Sequence, residues 1–100
     1  MNITGSEKLE KFCKKHNDAK SAIEKWVDEV TKASWKNHNE LKSDYLSADY
    51  VGNNRYVFNI RGNKYRLIVL VVFFAGNVDI RFVGTHSDYD SIDSAKIKVI

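Results

Sequence analysis

The stretch RYVFNIRGNKYRLIVLVVFFAGNVDIRFVGTHSDYD, residues 55–90, decides the fold of this chain. Valine, isoleucine, phenylalanine and tyrosine dominate three runs within it, at Arg55–Arg61, Lys64–Phe74 and Val78–His86. Only Gly62-Asn63 and Ala75-Gly76-Asn77 separate these runs, and both are combinations typical of hairpin turns. The stretch therefore predicts two consecutive β-hairpins.

Alternation of side chains along the first hairpin predicts one polar and one apolar face. If Gly62-Asn63 is a two-residue loop, one face carries polar residues at the turn end, followed by apolar ones: Asn59, Arg61, Lys64 and Arg66, then Val57, Ile68 and Leu70. We call this the cationic face. The opposite, core face carries Tyr56, Phe58, Ile60, Tyr65, Leu67, Val69 and Val71. Because no Asp or Glu lies between Asn53 and Val78, we expect the cationic face to bind an anion.

The second hairpin allows two registers. With Gly76-Asn77 as the loop, one set of side chains joins the cationic face, namely Arg81, Val83, Thr85, Ser87 and Tyr89, and Ile80, Phe82 and His86 join the core face. A three-residue loop with a bulge exchanges the two sets. The first register is preferred because it buries Ile80 and Phe82. In the preferred register His86 lies where the strand ends, and the turn into residues 87–90 could still bring its ring to the edge of the cationic face.

The first half of the chain has helical periodicity. Ser6 is a predicted cap of a helix that buries Leu9, Phe12, Cys13 and His16. After a break at Asn17-Asp18, an amphipathic stripe predicts a second helix: Ala19, Ala22, Ile23, Trp26, Val27, Val30 and Ala33. A loop at Lys36–Glu40, a helical turn around Leu41–Leu46, an edge strand at Asn2–Thr4 and an edge strand or chain end at Ala95–Ile100 complete the prediction. The predicted class is α+β, with two N-terminal helices packed on a mainly antiparallel sheet in a single domain of residues 1–100.

Composition limits the cellular setting. The chain has 16 Lys and Arg against 13 Asp and Glu, a formal charge of +3 and a pI near 9.0, which permits RNA binding without requiring it. The single Cys13 excludes an internal disulfide and fits a reducing cytoplasm. The first residues contain no apolar signal segment, and the longest apolar run, Leu67–Phe74, is too short to span a bilayer. We expect a cytoplasmic protein that does not use a membrane.

Five side chains are candidates for chemistry: Arg61, Lys64 and Arg66 around the first turn, and His86 and Tyr89 after the third strand. Each has a structural alternative, because cations on a sheet are commonly only solvated and a histidine at a strand end is commonly structural. Three cations without a counter-charge favour anion binding. The closeness of Tyr89 to His86 favours a paired role.

Metal and nucleotide-driven chemistry are disfavoured. The histidines and Cys13 do not have the spacing of HExxH, CxxC or facial-triad sites. Cys13 belongs to an apolar stripe without an activating partner. Gly62 and Gly76 are isolated turn residues and do not form a phosphate-binding loop. No metal and no cofactor are therefore expected.

Motifs spread over roughly Glu7–Asp93 carry a family resemblance. They are HNDA at His16–Ala19, the two tryptophans Trp26 and Trp35, RYVFNIRGNKYRLIV, and FVGTHSDYD followed by Ile92-Asp93. Together they resemble the HigB family of toxins from bacterial type II toxin–antitoxin systems. The resemblance implies a RelE/ParE-like fold and an mRNA endoribonuclease, or mRNA interferase, that usually cleaves messages on the ribosome, inhibits translation and arrests growth. It also implies a cognate HigA-like antitoxin with a helix-turn-helix fold.

This resemblance implies a chemical role for the cationic face. Metal-independent RNA cleavage requires a deprotonated ribose 2′-hydroxyl, a stabilised phosphate charge and a protonated 5′-oxygen. Arg61 and Arg66 are expected to hold the scissile phosphate, because a guanidinium can grip two phosphate oxygens. His86 and Tyr89 are expected to transfer a proton or stack on a base, with acid and base left unassigned. The remaining predicted RNA-binding residues are Asn59, Lys64 and Arg81.

A non-catalytic RNA- or protein-binding module is the alternative. In that case the same cations anchor a backbone, and the apolar end of the cationic face, Val57, Ile68 and Leu70, receives a partner helix. Such a module would bind RNA with a salt-dependent affinity and would create no new RNA ends.

Overall fold

The computed structural model of the protein describes residues 1–92. The strands are β1 Asn2–Thr4, β2 Asp49–Gly52, β3 Arg55–Ile60, β4 Tyr65–Val72 and β5 Asn77–Thr85. The α-helices are α1 Glu7–Lys15, α2 Lys20–Lys32, α3 His38–Asp44 and α4 His86–Asp90, and short 3-10 turns lie at Asn17–Ala19 and Phe73–Ala75. The predicted α+β class is confirmed. The helix α4, which follows the last described strand, is absent from the prediction.

The five strands form one sheet in the order β1-β5-β4-β3-β2, with β1 parallel to β5 and the other pairs antiparallel. The predicted edge strand at Asn2–Thr4 is confirmed as β1. In the first hairpin, Asn59 pairs with Arg66 and Val57 with Ile68, as the alternation predicts. The turn is closed by a hydrogen bond from Lys64 N to Arg61 O of 3.3 Å.

The predicted two-residue loop of the second hairpin is wrong, because Asn77 already pairs with Val72 and residues 73–76 form the turn, but the predicted core face is correct for Ile80. Val78 and Ile80 pair with Val71 and Val69, and both are buried in the core. A β-bulge then shifts the register between Ile68 and Val69, so Phe82 pairs with Ile68. One extra residue reverses the alternation of every later side chain. The preferred register is therefore wrong for Phe82, which lies on the cationic face, and for Val83 and Thr85, which lie on the core face opposite Leu67 and Tyr65.

The helices cover the core face of the sheet. In the apolar stripe of α2, the side chains of Ile23, Trp26 and Val30 are completely or almost completely buried. The Trp26 ring packs edge-on against Phe58, with ring centres 5.4 Å apart. All seven residues predicted for the core face of the first hairpin belong to this buried cluster. The core that holds the sheet in position therefore forms between α2 and the central strands.

The region after α2 differs from its prediction in one respect. The predicted helical turn exists, but α3 begins at His38, inside the predicted loop, and ends at Asp44. Asn37 caps it, because its side-chain oxygen accepts a 3.0 Å hydrogen bond from Glu40 N. Ser6 precedes α1 without making a side-chain capping bond. The prediction for Ala95–Ile100 lies outside the described residues.

The end of the sheet that carries the predicted site is built by the β3–β4 turn and by the point where β5 passes into α4. His86 N donates a 3.1 Å hydrogen bond to Lys64 O, so the start of α4 is tied directly to the start of β4. Within residues 1–92 no helix has the length and apolar character needed to cross a bilayer.

Candidate active site

The short helix α4 is held by a capping box at its first turn. Thr85 Oγ1 accepts a hydrogen bond from Asp88 N at 3.1 Å, and Asp88 Oδ2 accepts one from Thr85 N at 3.2 Å. Gly84 permits this close packing, because a Cβ there would lie 2.7 Å from Phe82 Cζ and 3.1 Å from Asp88 Cβ. The box thus fixes how the chain leaves the sheet, and with it the position of the side chains on α4.

Four side chains meet where α4 faces β4, and we call Arg66, His86, Tyr89 and Asp90 the His86 cluster. His86, Tyr89 and Asp90 follow i, i+3, i+4 spacing, which places them on one side of the helix. Arg66 Nη2 lies 3.1 Å from His86 Nε2, and the Arg66 Cζ lies 4.7 Å from the centre of the Tyr89 ring. His86 Nδ1 lies 2.9 Å from Asp90 Oδ2.

Hydrogen-bonding rules decide the tautomer of His86 in this cluster. An arginine guanidinium only donates, so His86 Nε2 is the acceptor of the bond with Arg66. His86 Nδ1 then carries the proton and donates it to the Asp90 carboxylate. An imidazole with this pair of bonds carries its lone pair on Nε2, and the Asp90 carboxylate at Nδ1 would stabilise a positive charge if Nε2 took up a proton.

Arg66 keeps unused donor capacity beside this lone pair. Its Nε is buried and has no hydrogen-bond partner in the described part of the chain. The same is true of Oδ1 of Asn59, which lies directly opposite Arg66 across the hairpin. Buried polar atoms are normally hydrogen-bonded, so two such atoms on cross-strand partners indicate a place where a ligand or water completes the hydrogen bonds.

A second group of charges lies at the other side of the same turn, and we call Asp18, Arg61, Lys64 and Tyr65 the Asp18 cluster. Asp18 Oδ2 accepts hydrogen bonds from Arg61 Nη1 and Lys64 Nζ, and Oδ1 accepts one from the Tyr65 hydroxyl. The bonds from Lys64 and Tyr65 lower the pKa of Asp18 from 3.8 to about 2. The same carboxylate raises the pKa of Lys64 and of Tyr65. Asp18 is therefore an ionised counter-ion for two of the predicted cations.

A shallow cleft at the end of the sheet joins the two clusters. Its walls are Lys15, His16, Asn17, Asp18, Lys64, Tyr65, Thr85, His86 and Ser87. His86 belongs both to this cleft and to the contact with Arg66, so its ring marks the boundary between the helical side of the sheet end and the cationic face.

Comparison with known proteins identifies the family of this chain. The model of the HigB toxin family, described as the RelE-like toxic component of a toxin-antitoxin system, matches residues 19–92. This chain belongs to the HigB toxin family. It is 29% identical over 93 residues to the mRNA interferase toxin HigB of Escherichia coli strain K12, covering 90% of this chain and 88% of the relative. The mRNA interferase HigB of Escherichia coli O157:H7 and that of Shigella flexneri show the same identity and coverage.

Membership in the HigB family gives the chain a RelE-like α+β fold and the role of the toxin in a toxin–antitoxin pair, with a cognate antitoxin as partner. The matched segment, residues 19–92, contains all four members of the His86 cluster. Within the described residues, no three His, Cys, Asp or Glu side chains gather in an arrangement able to hold a metal ion.

The structure of this HigB-family toxin divides the predicted site residues into two groups. Arg66, His86 and Tyr89 come together, with Asn59 beside them. Arg61 and Lys64, predicted to share the cationic face with Arg66, bend around the sheet end to Asp18. Arg81 forms an ion pair with Asp79, at 3.0 Å between Nη1 and Oδ2. The absence of acidic residues near the turn in the sequence was therefore misleading, because the counter-charge comes from the break between α1 and α2.

Sequence reasoning missed two functional candidates in this HigB-family chain, Asp90 and Asp18. Asp90 had a usable signal, since it follows His86 by four residues and Thr85 starts a capping pattern with Asp88. Asp18 had none, because it is separated from Arg61 by 43 residues along the chain. The other two histidines pack against aromatic rings: His16 stacks on Phe12 with centres 4.5 Å apart, and His38 Nδ1 lies 2.7 Å from the Tyr56 hydroxyl.

Cys13 has no sign of activation. Burial raises the pKa of its thiol above the ordinary value, with Glu24 adding to the effect. A raised pKa reduces the thiolate fraction and so the nucleophilicity of the group. The side chain is half-buried against the core, as its place in the α1 stripe predicts.

Proposed function

We propose that this toxin is an mRNA endoribonuclease whose reaction centre is the His86 cluster. The observation that carries the proposal is the contact between Arg66 and the unprotonated Nε2 of His86, backed by Asp90 on Nδ1. A phosphate-binding cation and a proton acceptor are thus in contact at one point. The relatives from Escherichia coli and Shigella flexneri are named mRNA interferases, which supports the same reaction here.

The proposed reaction uses the RNA ribose as its own nucleophile. His86 Nε2 removes the proton of the 2′-hydroxyl, and the 2′-oxygen attacks the neighbouring phosphorus. The bond from phosphorus to the 5′-oxygen breaks, leaving a 2′,3′-cyclic phosphate on one fragment. The departing 5′-oxygen takes up a proton and becomes a hydroxyl on the other. No bond in this scheme needs an outside oxidant or reductant, and general acid–base catalysis contributes about 10²–10⁴-fold in such reactions.

Arg66 is the proposed ligand of the scissile phosphate. Its Nε makes no hydrogen bond within the described residues, so a bond to a phosphate oxygen would break no existing bond once the groups that cover this nitrogen move aside. When Nη2 also turns to the phosphate, it releases the Nε2 lone pair of His86. Binding of the phosphate would in this way free the base that starts the reaction.

Tyr89 and Asp90 are proposed to position the two reacting groups. The Tyr89 ring packs on the Arg66 guanidinium and limits its orientation. Its hydroxyl is a candidate donor of the proton that the 5′-oxygen takes up. Asp90 holds the tautomer of His86 and stabilises the imidazolium after proton transfer.

The other predicted residues are proposed to bind RNA away from the reacting phosphate. Arg61 and Lys64 are already engaged by Asp18, so we assign them to steering and to flanking phosphates, which alters the expectation that Arg61 grips the scissile group. Asn59 presents a buried Oδ1 without a partner in residues 1–92 beside Arg66. Arg81 lies further along the same face and is paired with Asp79.

Four further properties are part of the proposal. The cleavage is metal-independent, because Arg66 supplies the positive charge at the phosphate. The substrate is mRNA on the translating ribosome in the cytoplasm. The antitoxin is a small helix-turn-helix protein of the HigA type. Residues 1–100 act as a single domain.

Mapping of RNA 5′ ends across the transcriptome tests the function directly. The wild-type chain and Arg66→Ala are induced separately in bacteria for a few minutes, with Lys11→Ala as a control on an exposed lysine of α1. New ends inside coding regions are expected with wild type and Lys11→Ala and not with Arg66→Ala. Growth arrest by wild type without new ends would contradict nuclease activity and favour a non-catalytic binding protein.

Purified components then test the two finer points. The chain is incubated with mRNA alone and with mRNA on stalled ribosomes, in each case before and after EDTA has been used to strip metal from the chain and has then been removed. Cleavage that requires ribosomes and survives this treatment of the chain is expected. Equal cleavage of free RNA contradicts ribosome dependence, and cleavage that is lost after the treatment and restored by an added transition-metal ion contradicts metal independence.

A further inference from the structure

We propose that the cleft between Lys15–Asp18 and Thr85–Ser87 binds one nucleotide of single-stranded RNA and sets the base preference of cleavage. We call it the nucleotide cleft. The inference rests on the proposed function and adds a second site to it, on the helical side of His86. Of the predicted RNA-binding residues, only Lys64 lines this cleft.

The position of His86 connects the nucleotide cleft to the reaction. Its ring contacts Arg66 toward the cationic face, and the residue also lines the cleft. An RNA strand with its phosphate on Arg66 and its 2′-hydroxyl at His86 therefore has its neighbouring nucleotide at the entrance of the cleft. The backbone bond between His86 N and Lys64 O keeps the two walls together.

The walls of the cleft present hydrogen-bonding groups that the protein itself does not use. Within residues 1–92, the side chains of Lys15, His16, Asn17 and Ser87 make no hydrogen bond, although all four line the cleft. Asn17 offers both a donor and an acceptor, as the edge of a base requires, and Lys15 offers a charge for a phosphate. Unused polar groups converging in one concavity are typical of a binding site.

Two of the walls are held in place by contacts within the protein. The His16 ring stacks on Phe12 and lies 5.4 Å from the centre of Tyr65, so its orientation is fixed by aromatic packing. Asp18 holds Lys64 and the Tyr65 hydroxyl on the opposite side. Asp18 is therefore a positioning residue of this cleft, and its carboxylate excludes a second phosphate from the place where Lys64 already has an anion. Lys15 is the cation that remains for the nucleotide.

The test compares cleavage preferences of cleft variants with those of wild type. Asn17→Ala, Lys15→Ala and Ser87→Ala are induced in bacteria, RNA 5′ ends are mapped, and base frequencies on each side of the cut are compared. Lys11→Ala is the matched control for Lys15→Ala, because it removes the same charge one turn earlier on α1 and outside the cleft. Each variant is checked for the wild-type melting temperature, and the exposed Lys15 and Ser87 replace Asn17 if that variant does not fold.

Loss of one hydrogen bond to a base changes its relative preference by about two- to twelvefold. We expect a change of this size at one position beside the cut with Asn17→Ala or Ser87→Ala, a lower yield of ends with Lys15→Ala, and wild-type behaviour with Lys11→Ala. Unchanged base frequencies in all folded cleft variants would overturn the nucleotide cleft while leaving the nuclease intact. No new ends even with wild type would overturn the proposed function itself.

Discussion

The two ends of one β-turn hold arginines in opposite electrostatic settings. Arg61, in the Asp18 cluster, shares a carboxylate with Lys64 and the Tyr65 hydroxyl. Arg66, in the His86 cluster, contacts a neutral imidazole and an aromatic ring, and its Nε has no partner among the described residues. Two arginines in similar sequence surroundings therefore differ in their ability to bind an anion, because the fold gives one of them a carboxylate partner and the other a neutral one.

This difference decides which arginine suits a reacting phosphate. A phosphate at Arg61 must compete with Asp18, whose carboxylate both occupies the guanidinium and repels a second anion. A phosphate at Arg66 displaces only an uncharged lone pair. Charge stabilisation by preorganised donors is among the largest contributions to catalysis, and it depends on donors that are free to serve the transition state. The comparison therefore predicts a strongly unequal effect of mutations in the two clusters.

His86→Ala should give the largest loss of activity. Removing the proposed base should lower the rate of RNA cleavage by about 10²–10⁴-fold while leaving the fold intact, because the side chain is partly exposed at the sheet end. The measurement is single-turnover cleavage of end-labelled mRNA on ribosomes. Asp90→Asn tests the positioning role separately. Because Asp90 is exposed, loss of its ion pair with His86 should lower the rate of RNA cleavage by at most about fivefold. A His86→Ala rate within fivefold of wild type would contradict the role of the histidine.

Arg66→Ala should lose more activity than Arg61→Ala by a wide margin. Loss of a transition-state donor costs about 2.7–4 kcal/mol, equivalent to about 10²–10³-fold. Loss of Arg61 removes an exposed ion pair and a steering charge, for which we expect at most about 1 kcal/mol. Both variants are compared in the same single-turnover assay at saturating RNA, with Arg66→Lys included because a lysine cannot make two parallel bonds to phosphate. Equal losses at the two arginines would remove the distinction between the clusters.

Much of this fold follows from patterns that the sequence displays. The two-residue period specifies the first hairpin with its Gly62-Asn63 turn, and it assigns Ile80 to the core face although the second turn, residues 73–76, differs from the predicted one. The prediction fails after Ile80 because a bulge adds one residue, and nothing in the local sequence announces it. The start of α4 was readable in principle, since Thr85 and Asp88 have the spacing of a capping box.

The candidate site was predictable where it depends on residues that are close together along the chain. Arg66 follows from strand alternation, and His86 with Tyr89 follows from the end of the last strand. The placement of Arg61 and Lys64 was not predictable, because it depends on a contact with Asp18 across 43 and 46 residues. Arg61 also adopts a left-handed backbone conformation, with φ of 53°, which directs the chain away from regular alternation. Tertiary ion pairing is the information that a single sequence does not contain.

The ring of Tyr89 should have a moderate effect that separates packing from proton transfer. Tyr89→Phe keeps the ring over the Arg66 guanidinium, and Tyr89→Leu removes it. A cation–π contact is worth about 0.5–2 kcal/mol, so Tyr89→Leu should cleave about 2–30-fold more slowly than Tyr89→Phe. The ratio of the cleavage rates of wild type and Tyr89→Phe measures the contribution of the hydroxyl alone, as the candidate proton donor. Identical rates for the Leu and Phe variants would show that the ring does not orient Arg66.

Asp18→Asn should have the smallest effect on the rate of cleavage, and its main effect should be on stability and on the dependence of stability on pH. Because the folded pKa of about 2 lies below the ordinary value of 3.8, the ionised carboxylate stabilises the fold above pH 3.8, and this contribution is lost as the pH falls to about 2. Urea unfolding at pH 7, 4, 3 and 2 measures it.

The Asp18→Asn variant should be less stable than wild type at pH 7, and the difference should shrink steadily below pH 4. Asp79 also has a lowered pKa, because hydrogen bonds from Thr4 and Arg81 outweigh the opposing effect of its burial. Asp79 titrates in both wild type and Asp18→Asn, so the difference between their free energies of unfolding reports on Asp18 alone. A constant difference at every pH would mean that the carboxylate is not the charge that holds Arg61 and Lys64, and the two ends of the turn would then be electrostatically alike.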